Sequence, residues 1–174
     1  ILEGGETVIF LDPFFEKNDH SNKTSDLTNI LKTLNINYNS NVILDGAQAT
    51  RLQTQQNISD NTSLQTILKL NWPEVRGQFI NQSEEIGNGL SLIRLVSAGG
   101  LAPLNEDSQI SYIPLISSSE VTMDLPMREV HDPIKLINNF KPTGITYDFG
   151  VKLSGKTSSS FNEFEFIREY HIDS

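Results

Sequence analysis

A short apolar segment near the start of the chain most constrains the fold. Residues 8–11 are consecutively apolar, follow a glycine pair and end at Asp12-Pro13. A continuous apolar run is typical of a strand covered on both faces, as in a parallel sheet. Proline cannot donate to a sheet and restricts the residue before it to extended conformations, so the strand should end at Asp12. The pattern predicts a central strand.

Together with this first strand, the segments that follow predict the order strand, helix and strand. Ser25 is a suitable N-cap for a helix whose apolar positions share one face. Residues 42–44 are again apolar, and Asp45-Gly46 after them is typical of a turn. This order predicts parallel pairing with a right-handed crossover. The apolar helix positions are Leu27, Ile30, Leu31 and Leu34.

The remainder of the chain carries weaker local signals. Residues 47–63 are rich in Gln, Asn, Thr and Ser, which predicts a long and partly mobile excursion. Residues 112–116 predict a strand, and residues 122–130 predict irregular structure. Asp132-Pro133 predicts the start of a helical turn. Residues 145–156 alternate apolar and polar side chains, which predicts a half-exposed strand near the edge of a sheet.

The length limits the number of domains. A chain of 174 residues can bury one sizeable core, and it is short for a second full domain. We therefore predict a single α/β domain over residues 1–174, with a mainly parallel central sheet between helical layers. Residues 1–5 resemble the end of a helix followed by a glycine stop, so we expect the chain to be a fragment of a longer protein.

Composition disfavours several classes of partner. The net charge is −9, the pI is about 4.7, and the basic residues are scattered singly, which disfavours nucleic acid and direct docking on anionic lipid. The absence of cysteine excludes disulfides, thiolate metal sites and cysteine nucleophiles. No apolar run approaches the roughly 20 residues that a transmembrane helix requires.

The candidate site lies where the predicted first strand ends. Open α/β folds bind ligands at the carboxyl ends of their strands. Asp12, Phe14 and Phe15 occupy that position, and the turn Ser117, Ser118 and Ser119 follows another predicted strand. We interpret these six residues as a cleft that binds a ligand.

A catalytic or metal-binding role for these residues and for the histidines is a less favoured interpretation. Asp12 has the chemistry to bind Mg²⁺ or accept a proton, but Asp-Pro is also a common strand terminator. The serines lack the Gly-x-Ser-x-Gly elbow of a nucleophile. His20, His131 and His171 lie in separate segments without zinc-ligand spacing. We predict no catalytic residue, no metal site and no cofactor.

Several stretches, in this order, resemble the GldG family of auxiliary components of bacterial ABC transport systems, first linked to gliding motility. Residues 4–13 are similar to that family's glycine pair, apolar run and Leu-Asp-Pro. Residues 27–38 are similar to its following helix, although Asn35-Ile36 replaces the usual glycine. Residues 115–119 resemble a strand end of the family, and residues 150–161 contain the most specific match, a Leu-Ser-Gly-Lys segment.

The resemblance implies a location, a fold and partners. It implies an extracytoplasmic domain on the periplasmic side of the bacterial cytoplasmic membrane, attached through flanking transmembrane helices that this fragment lacks. The implied fold is a three-layer sandwich, flavodoxin-like or glutamine-amidotransferase-like and incomplete at its termini, without catalytic residues. The implied partners are ABC permease and ATPase subunits or envelope proteins, with a glycan as the alternative.

Three functions follow from these observations. The first is a non-enzymatic domain of an ABC-transporter auxiliary protein that acts through protein contacts in transport or gliding motility. The second is a module that binds a carbohydrate or another small ligand in the cleft of Asp12, Phe14, Phe15 and Ser117 to Ser119. The third, a more distant alternative, is a hydrolase that uses Asp12 and a serine.

Overall fold

The computed structural model describes residues 7–9, 11, 27–58, 61–106 and 108–157. This part of the chain is mostly β-structure with two short helices, and neither helix has the length and apolar character needed to cross a bilayer. The elements are α1 (Thr28–Thr33), β1 (Ile36–Asn39), β2 (Val42–Asp45), β3 (Ala49–Ile58), β4 (Asn61–Arg76), β5 (Leu92–Arg94), β6 (Gly100–Pro103), β7 (Ser111–Ser117), β8 (Thr122–Leu125), α2 (Pro133–Asn139) and β9 (Asp148–Ser154), with 3₁₀ turns at Gly77–Phe79 and Met127–Glu129.

The strands form three antiparallel sheets. The largest has the order β1-β6-β9-β7, the second contains β2 and β8, and the third has the order β3-β4-β5. Every strand pairing in these sheets is antiparallel. The predicted α/β sandwich with a mainly parallel sheet, flavodoxin-like or glutamine-amidotransferase-like, is therefore wrong. Where an apolar run does form a buried strand, as at β2, its composition does not show in which direction the neighbouring strand runs.

The first apolar segment is not a central strand where the structure describes it. Residues 7–9 belong to no strand, and the exposed fractions of Val8 and Ile9 are 74% and 41%. Asp12, Phe14 and Phe15 lie outside the described residues. The strand whose residues are all buried is β2, and it pairs with β8.

The predicted strand, helix and strand unit is also wrong in its topology. The helix is present as α1 and the second strand as β2. Asn35 follows the helix with a φ of 59°, a left-handed conformation that asparagine tolerates better than most residues. The chain then enters β1 directly, and β1 and β2 belong to different sheets. The region predicted to be a crossover is therefore a turn into an antiparallel strand.

Residues 47–63 contribute to a long hairpin instead of an irregular excursion. The strands β3 and β4 pair from Thr50↔Lys69 to Ile58↔Asn61. We call residues 50–58 and 61–69 the ribbon. Antiparallel pairing satisfies the backbone groups that face each other across the hairpin even though the side chains are mostly polar, which is why a low apolar content did not prevent regular structure here.

The C-terminal half gives mixed outcomes. The strand predicted at residues 112–116 is confirmed as β7, and the predicted helix is confirmed as α2. The carboxylate of Asp132 caps α2 by accepting hydrogen bonds from the N–H groups of Ile134 and Lys135 at 3.0 and 3.1 Å. Residues 122–125 form β8, so the irregular structure predicted there is wrong. The strand predicted within residues 145–156 is present as β9, which lies between β6 and the edge strand β7.

The core joins the two-stranded sheet to the base of the ribbon. Its buried cluster consists of Val42 and Leu44 of β2, Leu70 of β4, Val130 after the second 3₁₀ turn, and Leu136 of α2. Partly buried apolar side chains extend this cluster: Ala49, Leu68, Met123, Leu125, Met127 and Phe140. Burial of these side chains fixes α2 and β4 against β2, and it leaves most of the ribbon outside the cluster.

Candidate functional site

The three serines predicted as part of a cleft form a hydrogen-bonded turn after β7. Ser117 Oγ donates to Asp148 Oδ1 at 2.7 Å, Ser118 Oγ donates to the carbonyl oxygen of Ser119 at 2.9 Å, and Ser119 Oγ donates to Asp45 Oδ1 at 2.7 Å. Ser118 and Ser119 are buried, and Ser117 is half-buried. Of the three hydroxyl groups, that of Ser117 is the most accessible from the surface.

Asp45 is the centre of the polar cluster beneath this turn. Its side chain is fully buried and accepts four hydrogen bonds. Oδ1 accepts from the N–H groups of Ala47 and Gln48, both at 3.0 Å, and Oδ2 accepts from the N–H of Ser119 at 2.8 Å. With the Ser119 hydroxyl, these contacts connect the end of β2 to the end of β7. We call this set of contacts the Asp45–Ser119 link.

A second carboxylate holds the other side of the turn. Asp148 Oδ2 accepts from the hydroxyl of Tyr112 at 2.9 Å, in addition to the bond from Ser117. Burial, followed by the nearby Asp148 charge, raises the pKa of Tyr112 well above its ordinary value. The backbone of Ser118 also donates to the carbonyl oxygen of Tyr147, and Ser118 Oγ accepts from the N–H of Tyr147, both at 2.8 Å. The turn is therefore fixed to β2 and to the chain entering β9.

These contacts bear on the chemistry of the turn. A serine nucleophile requires an accessible hydroxyl beside a base that accepts its proton. The hydroxyls of Ser118 and Ser119 are enclosed, and in the part of the chain that the structure covers they bond to no histidine. The arrangement is typical of a structural turn. Asp12, Phe14 and Phe15 lie outside the described residues, so their proximity to the serines stays a prediction.

A groove of about 490 Å³ lies along the outer edge of β7. Residues 80–82 cover part of this edge, since the N–H of Asn81 donates to the carbonyl oxygen of Leu115 at 2.8 Å and Asn81 Nδ2 donates to that of Pro114 at 3.0 Å. The polar groups of Asn81 and Ser117 are thus engaged within the protein. The groove is lined by Gly77, Gln78, Phe79, Ile80, Asn81, Gln82, Pro114, Leu115 and Ser117.

The ribbon is the second prominent surface. Between Thr50 and Lys69 no third strand pairs with it within the described ranges, because β5 pairs with β4 only at Glu74–Arg76. Both outer edges of the ribbon therefore present backbone groups that no described strand pairs. Exposed side chains on it include Arg51, Gln53, Gln65 and Thr66. Sequence reasoning missed the ribbon, although Ser and Asp at positions 59 and 60, residue types common at strand boundaries, separate two segments that each contain threonine.

Charged groups at the base of the ribbon are paired. Glu74 contacts Arg76 and, at 2.7 Å, Arg94. The hydrogen bond from Arg76, followed by that from Arg94, lowers the pKa of Glu74. The ammonium of Lys69 lies 5.4 Å from the centre of the Trp72 ring, within cation–π range. Over the residues described, no three His, Asp or Glu side chains are grouped to hold a metal ion.

Comparison with known proteins adds a family. The model of the family described as "ABC-type uncharacterized transport system" matches residues 1–169. The comparisons with curated proteins and with solved structures found no match.

Proposed function

This chain belongs to the ABC-type uncharacterized transport system family of auxiliary proteins, and we propose that it is a non-catalytic domain that acts through protein contacts with the permease or ATPase subunits. The family match covers nearly the whole chain, so the transport association applies to the domain described here and not to a neighbouring one. The enclosed hydroxyls of Ser118 and Ser119 support a role without a serine nucleophile.

The observation that carries the protein-contact role is the ribbon. A two-stranded hairpin is marginally stable alone in water, and its unpaired edges are suited to adding a strand from a partner. Residues 50–69, the ribbon with the two residues between its strands, contain three charged residues, Arg51, Asp60 and Lys69. This stretch carries +1 while the rest of the chain carries −10, giving the total of −9. Charged residues are depleted at the core of protein interfaces, so this stretch with few charges is suited to contact with a partner.

The finer assignment is a GldG-like protein of the gliding-motility type, placed on the periplasmic side of the cytoplasmic membrane. Residues 115–119 and 150–161 support it by their similarity to family segments. Protease accessibility of the domain in intact spheroplasts tests the location, since a periplasmic domain is cleaved without lysis. Protection from protease until the cells are lysed would contradict it.

Affinity purification of the intact protein that contains this chain tests the transporter association. We expect an ABC permease and an ATPase to co-purify. The double variant Gln53→Lys and Gln65→Lys places a charge on each face of the ribbon, and we expect it to lose most of the co-purified subunits. Gln109→Lys makes the same change on an exposed loop between β6 and β7 and should retain them.

The outcomes separate the two parts of the proposal. Failure of the unaltered protein to retain permease and ATPase would overturn the transport association. Equal retention by the ribbon variant and by Gln109→Lys would leave the association standing and would show that the contact lies elsewhere.

A further inference from the structure

The loop between the first 3₁₀ turn and β5 contains the single Asn-Gly dipeptide of the sequence, Asn88-Gly89. Both residues are exposed, and Gly89 has a φ of 81°. Glycine has no Cβ to hinder its backbone nitrogen from approaching the preceding side chain, and its backbone samples more conformations than that of any other residue. We infer that Asn88 is a site of spontaneous deamidation in the folded protein.

The reaction requires only water. The backbone nitrogen of Gly89, after losing its proton to solvent base, attacks Cγ of Asn88. A C–N bond forms, the Cγ–Nδ2 bond breaks, and the side-chain nitrogen leaves as ammonia, which gives a five-membered succinimide. Water then opens the ring at either carbonyl. Attack at the side-chain carbonyl gives an ordinary aspartyl residue, whereas attack at the backbone carbonyl gives an isoaspartyl linkage. No atom is oxidised or reduced.

The contacts of the loop restrain this reaction only weakly. The side chain of Asn88 makes no hydrogen bond to any residue that the structure describes. The N–H of Gly89 donates to Oε1 of Gln82 at 3.3 Å, a long bond on an exposed loop. Nε2 of Gln82 also donates to the carbonyl oxygen of Leu90 at 2.9 Å. Gln82 is therefore the side chain that engages the attacking nitrogen.

An internal comparison shows why the fold selects this position. Asp45-Gly46 is the single Asp-Gly dipeptide of the sequence and forms the same succinimide in flexible chains. Both oxygens of Asp45 are bound within the Asp45–Ser119 link, and the N–H of Gly46 donates to the carbonyl oxygen of Val121 at 2.8 Å. Burial and these bonds prevent the nitrogen of Gly46 from attacking Asp45, whereas the exposed side chain of Asn88 can be attacked by the nitrogen of Gly89.

The modification changes the surface beside the groove. Each event adds one negative charge next to Glu84 and Glu85, which takes the formal net charge from −9 to −10. Glu84 forms an ion pair with Lys152 of β9 at 2.7 Å, so the new charge lies near a contact that holds the loop to the four-stranded sheet. The isoaspartyl product also lengthens the backbone and displaces the N–H of Gly89 from Gln82.

Incubation of the intact folded protein at mildly alkaline pH, followed by peptide mapping with isoaspartate detection, tests the inference. We expect Asn88 to be the first asparagine converted, at a rate within about tenfold of that in the chain denatured by guanidinium chloride, since an exposed loop opens locally at little cost. Isomerisation at Asp45 should appear only in the denatured chain. Gln82→Ala should accelerate conversion at Asn88, and Asn88→Gln should abolish the signal at that position.

Three results would overturn the inference. The first is an unmodified Asn88 in the folded protein while the denatured chain is converted. The second is earlier conversion of another asparagine. The third is slower conversion in Gln82→Ala than in the unaltered protein, which would show that the Gln82 amide does not restrain the loop. Hydrogen exchange of each variant confirms that the strands remain folded during the assay.

Discussion

Replacing Asp45 with asparagine tests whether a buried carboxylate, and not merely a polar side chain of that size, connects β2 to the serine turn. Asparagine keeps one oxygen, which can serve the donors at Oδ1, but its NH₂ group then faces the N–H of Ser119. Losing a hydrogen bond to a charged group costs about 1.5–3 kcal/mol, and leaving the N–H of Ser119 buried and unsatisfied costs about 1–3 kcal/mol; the two figures overlap because both count the same lost contact. We expect the free energy of unfolding to fall by about 2–4 kcal/mol.

Equilibrium unfolding in urea, followed by fluorescence of the single tryptophan, Trp72, measures this change. In a domain of this size the expected loss lowers the Tm by about 5–15 °C. Asp132→Asn is the matched control, because Asp132 accepts two backbone hydrogen bonds at an exposed N-cap, where asparagine serves equally well. Ser119→Ala, which leaves three donors on Asp45, should cost about 1.5–3 kcal/mol.

A comparison of the two asparagine variants can refute this prediction. If Asp45→Asn and Asp132→Asn change the free energy of unfolding by amounts within about 0.5 kcal/mol of each other, the buried carboxylate does not contribute as the geometry indicates.

Three further predictions use the same assay or a titration. Gly87→Ala places a Cβ against the backbone carbonyl of Asn81 and should cost about 1–3 kcal/mol, whereas Gly77→Ala enters open space at a φ of 58° and should cost about 1 kcal/mol. Asn41 donates to Asp124 and is the main cause of its lowered pKa, so Asn41→Ala should lose less than about 1 kcal/mol at neutral pH, and the loss should shrink as the pH falls below about 4. The raised pKa of Tyr112 contributes stability below about pH 10 that is lost at higher pH, and Tyr112→Phe should remove a tyrosinate absorbance that develops above the pH at which an unperturbed tyrosine titrates.

Local signals located several elements correctly. The apolar residues 42–44 form β2, and the N-cap Asp132 with Pro133 starts α2. In both cases the determining interactions lie within a few residues, such as side chain to backbone bonds in the first helical turn. Such contacts leave a pattern that a sequence shows directly.

Pairing direction and distant polar contacts left no such pattern. Residues 42–45 are all buried, as in a parallel strand, yet β2 belongs to an antiparallel pair, and its Val42 and Leu44 pack in one cluster with side chains of β4 and α2. The serines 117–119 lie at the end of β7, where the sequence placed them, and their role in a ligand cleft stays a prediction. Nothing near them in sequence indicated that Ser119 bonds to Asp45, which is 74 residues away, or that Asp45 is more than a turn residue.

The polar links explain how a two-stranded sheet persists in this fold. Such a sheet is marginal alone, yet β2 and β8 are tied to the largest sheet at several points. The Asp45–Ser119 link joins β2 to β7, and Asp124 of β8 accepts from Asn39 of β1 at 3.2 Å and from the hydroxyl of Tyr147 at 3.4 Å. Changes at these contacts should therefore act on stability as core substitutions do.

The ribbon has the opposite relation to the fold. Its described side-chain hydrogen bonds, from Thr50 to the carbonyl oxygen of Trp72 and from Thr54 to that of Gln65, stay within the hairpin, and Leu68 is its contact with the core cluster. Substitutions on its exposed faces therefore remove no link between sheets. A surface that can be substituted at little cost to stability and that retains unpaired backbone edges is suited to partner contacts. Because such substitutions leave the fold stable, we expect a loss of binding in ribbon variants to reflect the lost contact and not unfolding.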